Sequence, residues 1–188
     1  MSEIRDTTFV KEDFSQRISA YEYDNCTFEN CNFEGANLIG VRFTDCTFIE
    51  CNISNAKLAD CAFKTVQFTQ CKMLGLRFDE CNTFGLNFTF DHCILNHSSF
   101  ALLKLKGIQF KNCQLEEIDF SQTFLMNAKF DNCQLKGATF DNCNLENADF
   151  RTASNYAFDP EKNKIKKAKF SSPAVLTLLE KYGISIEL

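Results

Sequence analysis

The sequence predicts an all-β solenoid, a parallel β-helix built from five-residue units. Two observations carry this expectation. Large apolar residues recur at every fifth position through most of the 188 residues, and cysteine, alanine or valine recurs two positions before them. A period of five fits neither the roughly 3.6-residue repeat of an amphipathic helix nor the roughly two-residue repeat of a strand. It fits a backbone that corners every fifth residue, turning two side chains of each unit inward and three outward. Composition agrees: 7 glycines and 2 prolines are too few for a sandwich or barrel rich in special turns.

Charge and cysteine usage narrow the setting. The net charge is −5 with both signs interspersed, so the clustered lysine and arginine of a nucleic-acid binder are missing. The first twenty residues are charged and lack the apolar stretch of a secretory signal. No run approaches the ~18 apolar residues of a membrane span. Eleven cysteines in such a chain point to a reducing compartment, the cytoplasm.

Residues 1–22 keep a loose version of the pattern, with Phe9, Phe14 and Ile18, and are expected to form an N-terminal cap. The regular array occupies residues 23–170. Its leading residues run Phe28, Phe33, Leu38, Phe43, Phe48, Ile53, Leu58, Phe63, Phe68, Met73, Phe78, Thr83 and Phe88, then resume at Leu95 and Phe100. Thr83 alone among them is not large and apolar. The jump from Phe88 to Leu95 implies a two-residue insertion, expected near positions 89–92 and bulging outward. All eleven cysteines fall two places before a leading residue, where alanine and valine also stand, so they read as small buried hydrophobes.

Units such as CNFEG-ANLIG and CQLKG-ATFDN resemble the pentapeptide-repeat family over roughly residues 18–170. The resemblance implies a right-handed quadrilateral β-helix with four units per coil. A 20-residue coil, lengthened to 22 across the insertion, stacks Phe28, Phe48, Phe68, Phe88, Phe110, Phe130, Phe150 and Phe170 into one aromatic wall. Coils about 4.8 Å apart would make a rod on the order of 35 Å long.

The repeat lapses at Asn155 and Pro160 and closes at Phe170. Residues 171–188 then read as a separate module. Ser172 and Pro173 suit a helix start, the run AVLTLLEKY a short helix, and Gly183 its end. Val175, Leu176, Leu179 and Tyr182 form an apolar stripe, and Ile184 and Ile186 alternate like a last strand. So short a helix must dock on something. Two occupants stay open: the end of its own solenoid, or a second copy in a two-fold dimer. Similarity to family members that dimerise through such a module favours the dimer.

Catalysis and metal binding are not expected. The cysteine pairs stand five apart, unlike the close spacing of zinc knuckles. Asp91, His92, Cys93 and His97 form no set of ligands if Cys93 points inward. No phosphate-binding glycine loop or triad can be assembled, so no catalytic residue, metal or cofactor is assigned. Binding must then use the outside. The wall of Leu38, Leu58 and Phe78 carries Asp60, Asp79, Glu80, Asp119 and Asp141, an acidic stripe; Phe84, Phe124 and Met126 point outward on the next wall.

Both ends, TTFVKEDFSQRISAYEYDNCTFENCNF and DPEKNKIKKAKFSSPAVLTLLEKYGISIEL, are similar to the quinolone-resistance (Qnr) branch of the family. That similarity implies a dimeric DNA mimic that binds DNA gyrase or topoisomerase IV and protects it from quinolones. Residues 24–150 hold 16 acidic against 10 basic side chains, a net of −6. Duplex DNA carries one charge per ~1.7 Å, so mimicry would be local, along the acidic stripe. A scaffold for another protein partner is the alternative.

Overall fold

The computed structural model describes residues 2–172 and 174–185 and shows a four-sided parallel β-helix. Each side is a ladder of short parallel segments, one per coil. Strands β1 (Glu3–Arg5), β3 (Glu22–Asp24), β5 (Arg42–Thr44) and β7 (Ala62–Lys64) form one side. A second side has seven strands: β2 (Thr8–Val10), β4 (Thr27–Glu29), β6 (Thr47–Ile49), β8 (Val66–Thr69), β9 (Phe88–Asp91), β10 (Gln109–Lys111) and β11 (Lys129–Asp131). Single bridges such as Asn32↔Asn52↔Lys72 and Ser99↔Asp119↔Thr139 build the other two sides.

The five-residue period has a backbone cause. Two residues after most leading positions the chain takes a left-handed conformation, as at Asn25, Asn30, Gly35, Gly40 and Asp45, with φ between 50° and 69°; Phe78–Glu80 instead makes a 3₁₀ turn. That conformation turns the corner, and it favours glycine, asparagine and aspartate. At Phe33–Ala36 the turn is closed by the Ala36 N–H donating to the Phe33 carbonyl at 3.0 Å. The coil can begin earlier than the regular spacing suggests. Ile4 pairs with Tyr23 and Phe9 with Phe28, so residues 3–10 already lie in the ladder, one residue short per coil.

Inside, leading residues stack on those of the next coil. Rings of Phe9, Phe28, Phe48, Phe68, Phe90, Phe110, Phe130, Phe150 and Phe170 follow one another at 4.7–5.5 Å with interplanar angles of 4–22°. Phe78, Phe100, Phe120 and Phe140 stack the same way on the third side. Rings on adjoining sides meet edge to face, so the interior is filled by offset and T-shaped contacts that aromatic rings prefer.

One element of the expected register is corrected here. Phe68 pairs with Phe90, and Phe88 pairs with Val66, two places earlier in its unit. The ladder is regular at Asn82, whose N–H donates to the Cys61 carbonyl, and is already shifted at Asn87, whose N–H donates to the Phe63 carbonyl. The two extra residues therefore lie at Thr83–Leu86, not near 89–92. Thr83 turns outward, which explains why it departs from the apolar pattern. The space it leaves is taken by Phe88, buried in a slot that elsewhere holds cysteine or alanine. Close packing requires such an exchange of volume.

The cysteines are all buried and free. Several point their thiol at the carbonyl of the leading residue one coil below: Cys51 to Phe28 at 3.3 Å, Cys133 to Phe110 at 3.4 Å, Cys143 to Phe120 at 2.9 Å. Where the slot holds another polar residue the same bond persists, from Ser98 to Met73, Thr123 to Phe100 and Asn163 to Phe140. Where the slot holds a polar side chain, that side chain satisfies its donor on this carbonyl; elsewhere alanine, valine, leucine or isoleucine fills the slot. Burial pushes the Cys46 thiol up to about 12 and the Cys143 thiol up to about 11.

At the far end Ala174–Tyr182 forms a 3₁₀ helix rather than an α-helix. It lies on its own chain: Leu178 is buried, and Ala174 and Val175 pack on the core. Thr177 Oγ1 donates to the Tyr156 carbonyl, Lys181 pairs with Asp159 and with Glu161, and Tyr182 Oη donates to Glu161. Among the described residues no helix is long and apolar enough to cross a membrane.

Candidate interaction surface

With phenylalanine, leucine and thiols filling the interior, every polar group available to a ligand lies on the outer walls. The acidic residues named from the sequence occupy one wall but three different columns. Asp60 and Glu80 stack at successive corners, joined by the Asp60 N–H donating to the Glu80 carbonyl. Asp79 and Asp141 follow leading residues, and Asp119 precedes one. Basic side chains interrupt them. Arg77 holds Asp79 at 2.6 Å and approaches Glu80 at 3.5 Å, and Lys162 stands 3.9 Å from Asp141. Burial raises the Asp79 carboxyl, but hydrogen bonds from Arg77 and Ser99 outweigh it and hold the group below its ordinary range. Asp60 accepts from the Asn82 side chain at 2.7 Å.

The apolar candidates differ among themselves. Phe84 is 79% exposed at the tip of the Thr83–Leu86 bulge. Phe124 and Met126 are half-buried on the same wall. Leu102, at 70% exposure, joins them at the neighbouring corner and was missed by the sequence reading. Its signal was present, an aliphatic residue in a column otherwise made of glycine, asparagine, aspartate and their like.

The stripe of the C-terminal module is divided. Val175 faces the solenoid, Leu176 and Leu179 are half-buried, and Tyr182 and Ile184 are exposed. Pro173 and Ile186 lie outside the described residues. His92 sits 2.7 Å from Asp91, and His97 sits 3.2 Å from Glu117, each at a separate corner with Cys93 turned inward. Among the described residues no three metal-binding side chains converge.

No curated protein matches this chain in sequence. Among solved structures it is similar to full-length QnrB1, described as a plasmid-mediated fluoroquinolone resistance protein, at 22% identity, covering 97% of this chain and all of that one, with a TM-score of 0.39. A trypsin-treated QnrB1 variant gives 20% identity, 97% and 99% coverage and a TM-score of 0.46. HetL, a pentapeptide repeat protein involved in heterocyst differentiation in the cyanobacterium Nostoc, gives 12% identity over 90% of this chain and 84% of its own, with a TM-score of 0.30. The model of the pentapeptide repeat region matches residues 22–89 and 77–150. Those spans coincide with the stacked coils, and the chain belongs to the pentapeptide repeat family.

Proposed function

We propose that this chain is a non-enzymatic binding rod for a type II topoisomerase, DNA gyrase or topoisomerase IV, and that it acts as a local DNA mimic that protects the enzyme from quinolones. The observation that carries the binding part is the filled interior: Phe, Leu and Cys occupy the coil from end to end, which leaves the outer walls to do the work. The similarity of both terminal segments to the Qnr branch supports this partner. Asp60, Glu80 and Asp119 would supply the phosphate-like charge. The exposed Tyr182 and Ile184 leave part of the C-terminal module free for a second copy while Val175 and Leu178 hold it to its own coil.

The test is a gyrase supercoiling assay with purified protein, with and without ciprofloxacin. The reading expects inhibition of supercoiling or relief of drug inhibition at micromolar protein. No response to tens of micromolar would sink it. Reversing Asp79, Glu80 and Asp119 together to Lys should abolish the effect, and an unchanged titration would remove the acidic wall from the account.

A scaffold for another protein is the second reading, favoured by one specific observation. Arg77 sits within the acidic wall and neutralises Asp79, so the charge pattern is mixed where a phosphate mimic would be uniform.

A further inference from the structure

Among the described residues Phe84 and Leu102 are the two most exposed large apolar side chains. Leu102 takes a corner with φ of +64°, and it is 70% exposed. A left-handed conformation strains an aliphatic residue, and glycine or asparagine would largely avoid that strain. Its side chain recovers nothing by burial. Phe84, at the tip of the bulge, is likewise left to solvent. Strain and apolar exposure together, with no packing gain, are what a contact surface requires and a cap or core does not.

Between these side chains lies a groove of about 450 Å³, lined by Asn82, Thr83, Phe84, Leu86, Leu102 and Lys104. On the other side of the bulge a second depression of about 270 Å³ shares Leu86 and Lys104 and reaches Lys106. The apolar surface continues onto the next coil through Phe124, which bridges to Lys104. The rim is basic: Lys64 Nζ stands 5.3 Å from the centre of the Phe84 ring, and no carboxylate lines either depression. Lys111, Lys162 and Lys181 find carboxylate partners. Among the described residues Lys64, Lys104 and Lys106 find none, as is true of most lysines here; what sets these three apart is their place around the groove.

We propose that this corner is a docking site for an acidic protein segment that carries apolar anchor side chains. A Phe or Leu of the segment enters the groove between Phe84 and Leu102. Flanking Asp or Glu side chains pair with Lys64, Lys104 and Lys106, whose charges are uncommitted and whose hydrogen bonds to carboxylates are of the strong, charge-assisted kind. A single nucleic-acid strand also meets lysines through phosphate and stacks bases on exposed rings, but Leu86 and Leu102, which share the groove with Phe84, suit an apolar side chain better than a base. The inference stands apart from the topoisomerase reading, since it is measured with no topoisomerase present.

The test is fluorescence anisotropy with a fluorescein-labelled peptide, Asp-Glu-Phe-Asp-Glu-Leu-Asp-Glu, a counterpart with Lys at every acidic position, and a labelled oligothymidylate. The acidic peptide should bind, less tightly as salt rises, and the other two should not. Leu102→Asn and Phe84→Ser should each weaken it at least tenfold. Leu102→Asn should at the same time raise Tm by roughly 2–4 °C, because strain is released. Loss of affinity with gain of stability separates a contact residue from a structural one. Equal binding of acidic and basic peptides, tighter binding of the oligonucleotide, or an unchanged affinity in Leu102→Asn would each overturn the proposal. So would a doubled mass in light scattering that Leu102→Asn halves, since a second copy would then be the occupant.

Discussion

At the scale of the residue, the corner decides most of what the sequence looks like. Most units turn on one left-handed residue, and Asn, Gly or Asp most often stands there because their side chains tolerate it. Thr65 does not fit this rule. It is β-branched, exposed and held at φ +55°, where branching makes the conformation a true outlier. Thr65→Asn should therefore stabilise the protein by about 1 kcal/mol, read as a higher urea midpoint with unchanged slope; a lower midpoint would mean that the hydroxyl does work the geometry does not reveal. The small inward slot has its own chemistry. Burial favours the neutral thiol of Cys46, raising its folded pKa from 9.0 to about 12. The folded state then holds a proton that the unfolded state releases, so this contribution is intact below about pH 9 and is lost as pH rises toward 12. Cys46→Ala should flatten the alkaline fall in stability over that window, and an identical alkaline limb in the variant would contradict the assignment.

Among elements, the bulge and the C-terminal module show where the sequence was legible. Periodicity places the walls, the direction of every cysteine and the end of the coil, since each depends on a local rule repeated many times. The register at the insertion was ambiguous for a physical reason. Phe88 and Phe90 stand two apart with Thr89 between, and both face inward, so either can lead a unit. Hydrogen bonding selects Phe90, and Thr83 was the clue, a polar residue in an apolar column because the chain had already left the ladder. Phe90→Ala should cost about 3–5 kcal/mol, whereas Phe84→Ala should change stability by less than about 0.5 kcal/mol. A loss at Phe90→Ala as small as that at Phe84→Ala in urea denaturation would return the bulge to 89–92. The module at 174–182 was legible as a short helix that must dock, but its winding was not. A 3₁₀ helix puts Leu178 inward, a residue left out of the α-helical stripe, because the packing surface of the last coil, and not the helix period, sets the turn.

For the whole molecule, function belongs to surfaces that no local rule specifies. The acidic residues found from the sequence do share a wall, yet the sequence does not show that Arg77 sits among them, because that depends on which coils stack. The lysine-rimmed groove needed three separate stretches, at Lys64, Phe84 and Leu102–Lys106, to be brought together. Family membership fixes the rod and leaves its partners to these outer faces. If the C-terminal module joins two rods, Ile184→Asp, at a position 54% exposed, should halve the mass in light scattering while the circular-dichroism spectrum of the rod stays the same. An unaltered mass would leave the module as a cap alone.

The backbone corners every fifth residue and turns each thiol inward along the full rod. Counting reactive thiols by mass spectrometry after alkylation near pH 8 samples that register from Cys26 to Cys143 in one experiment. The native protein should show no rapid labelling, and all eleven cysteines should be modified in denaturant. Fast native labelling of Cys71, Cys93 or Cys113, in the middle of the stack, would contradict it.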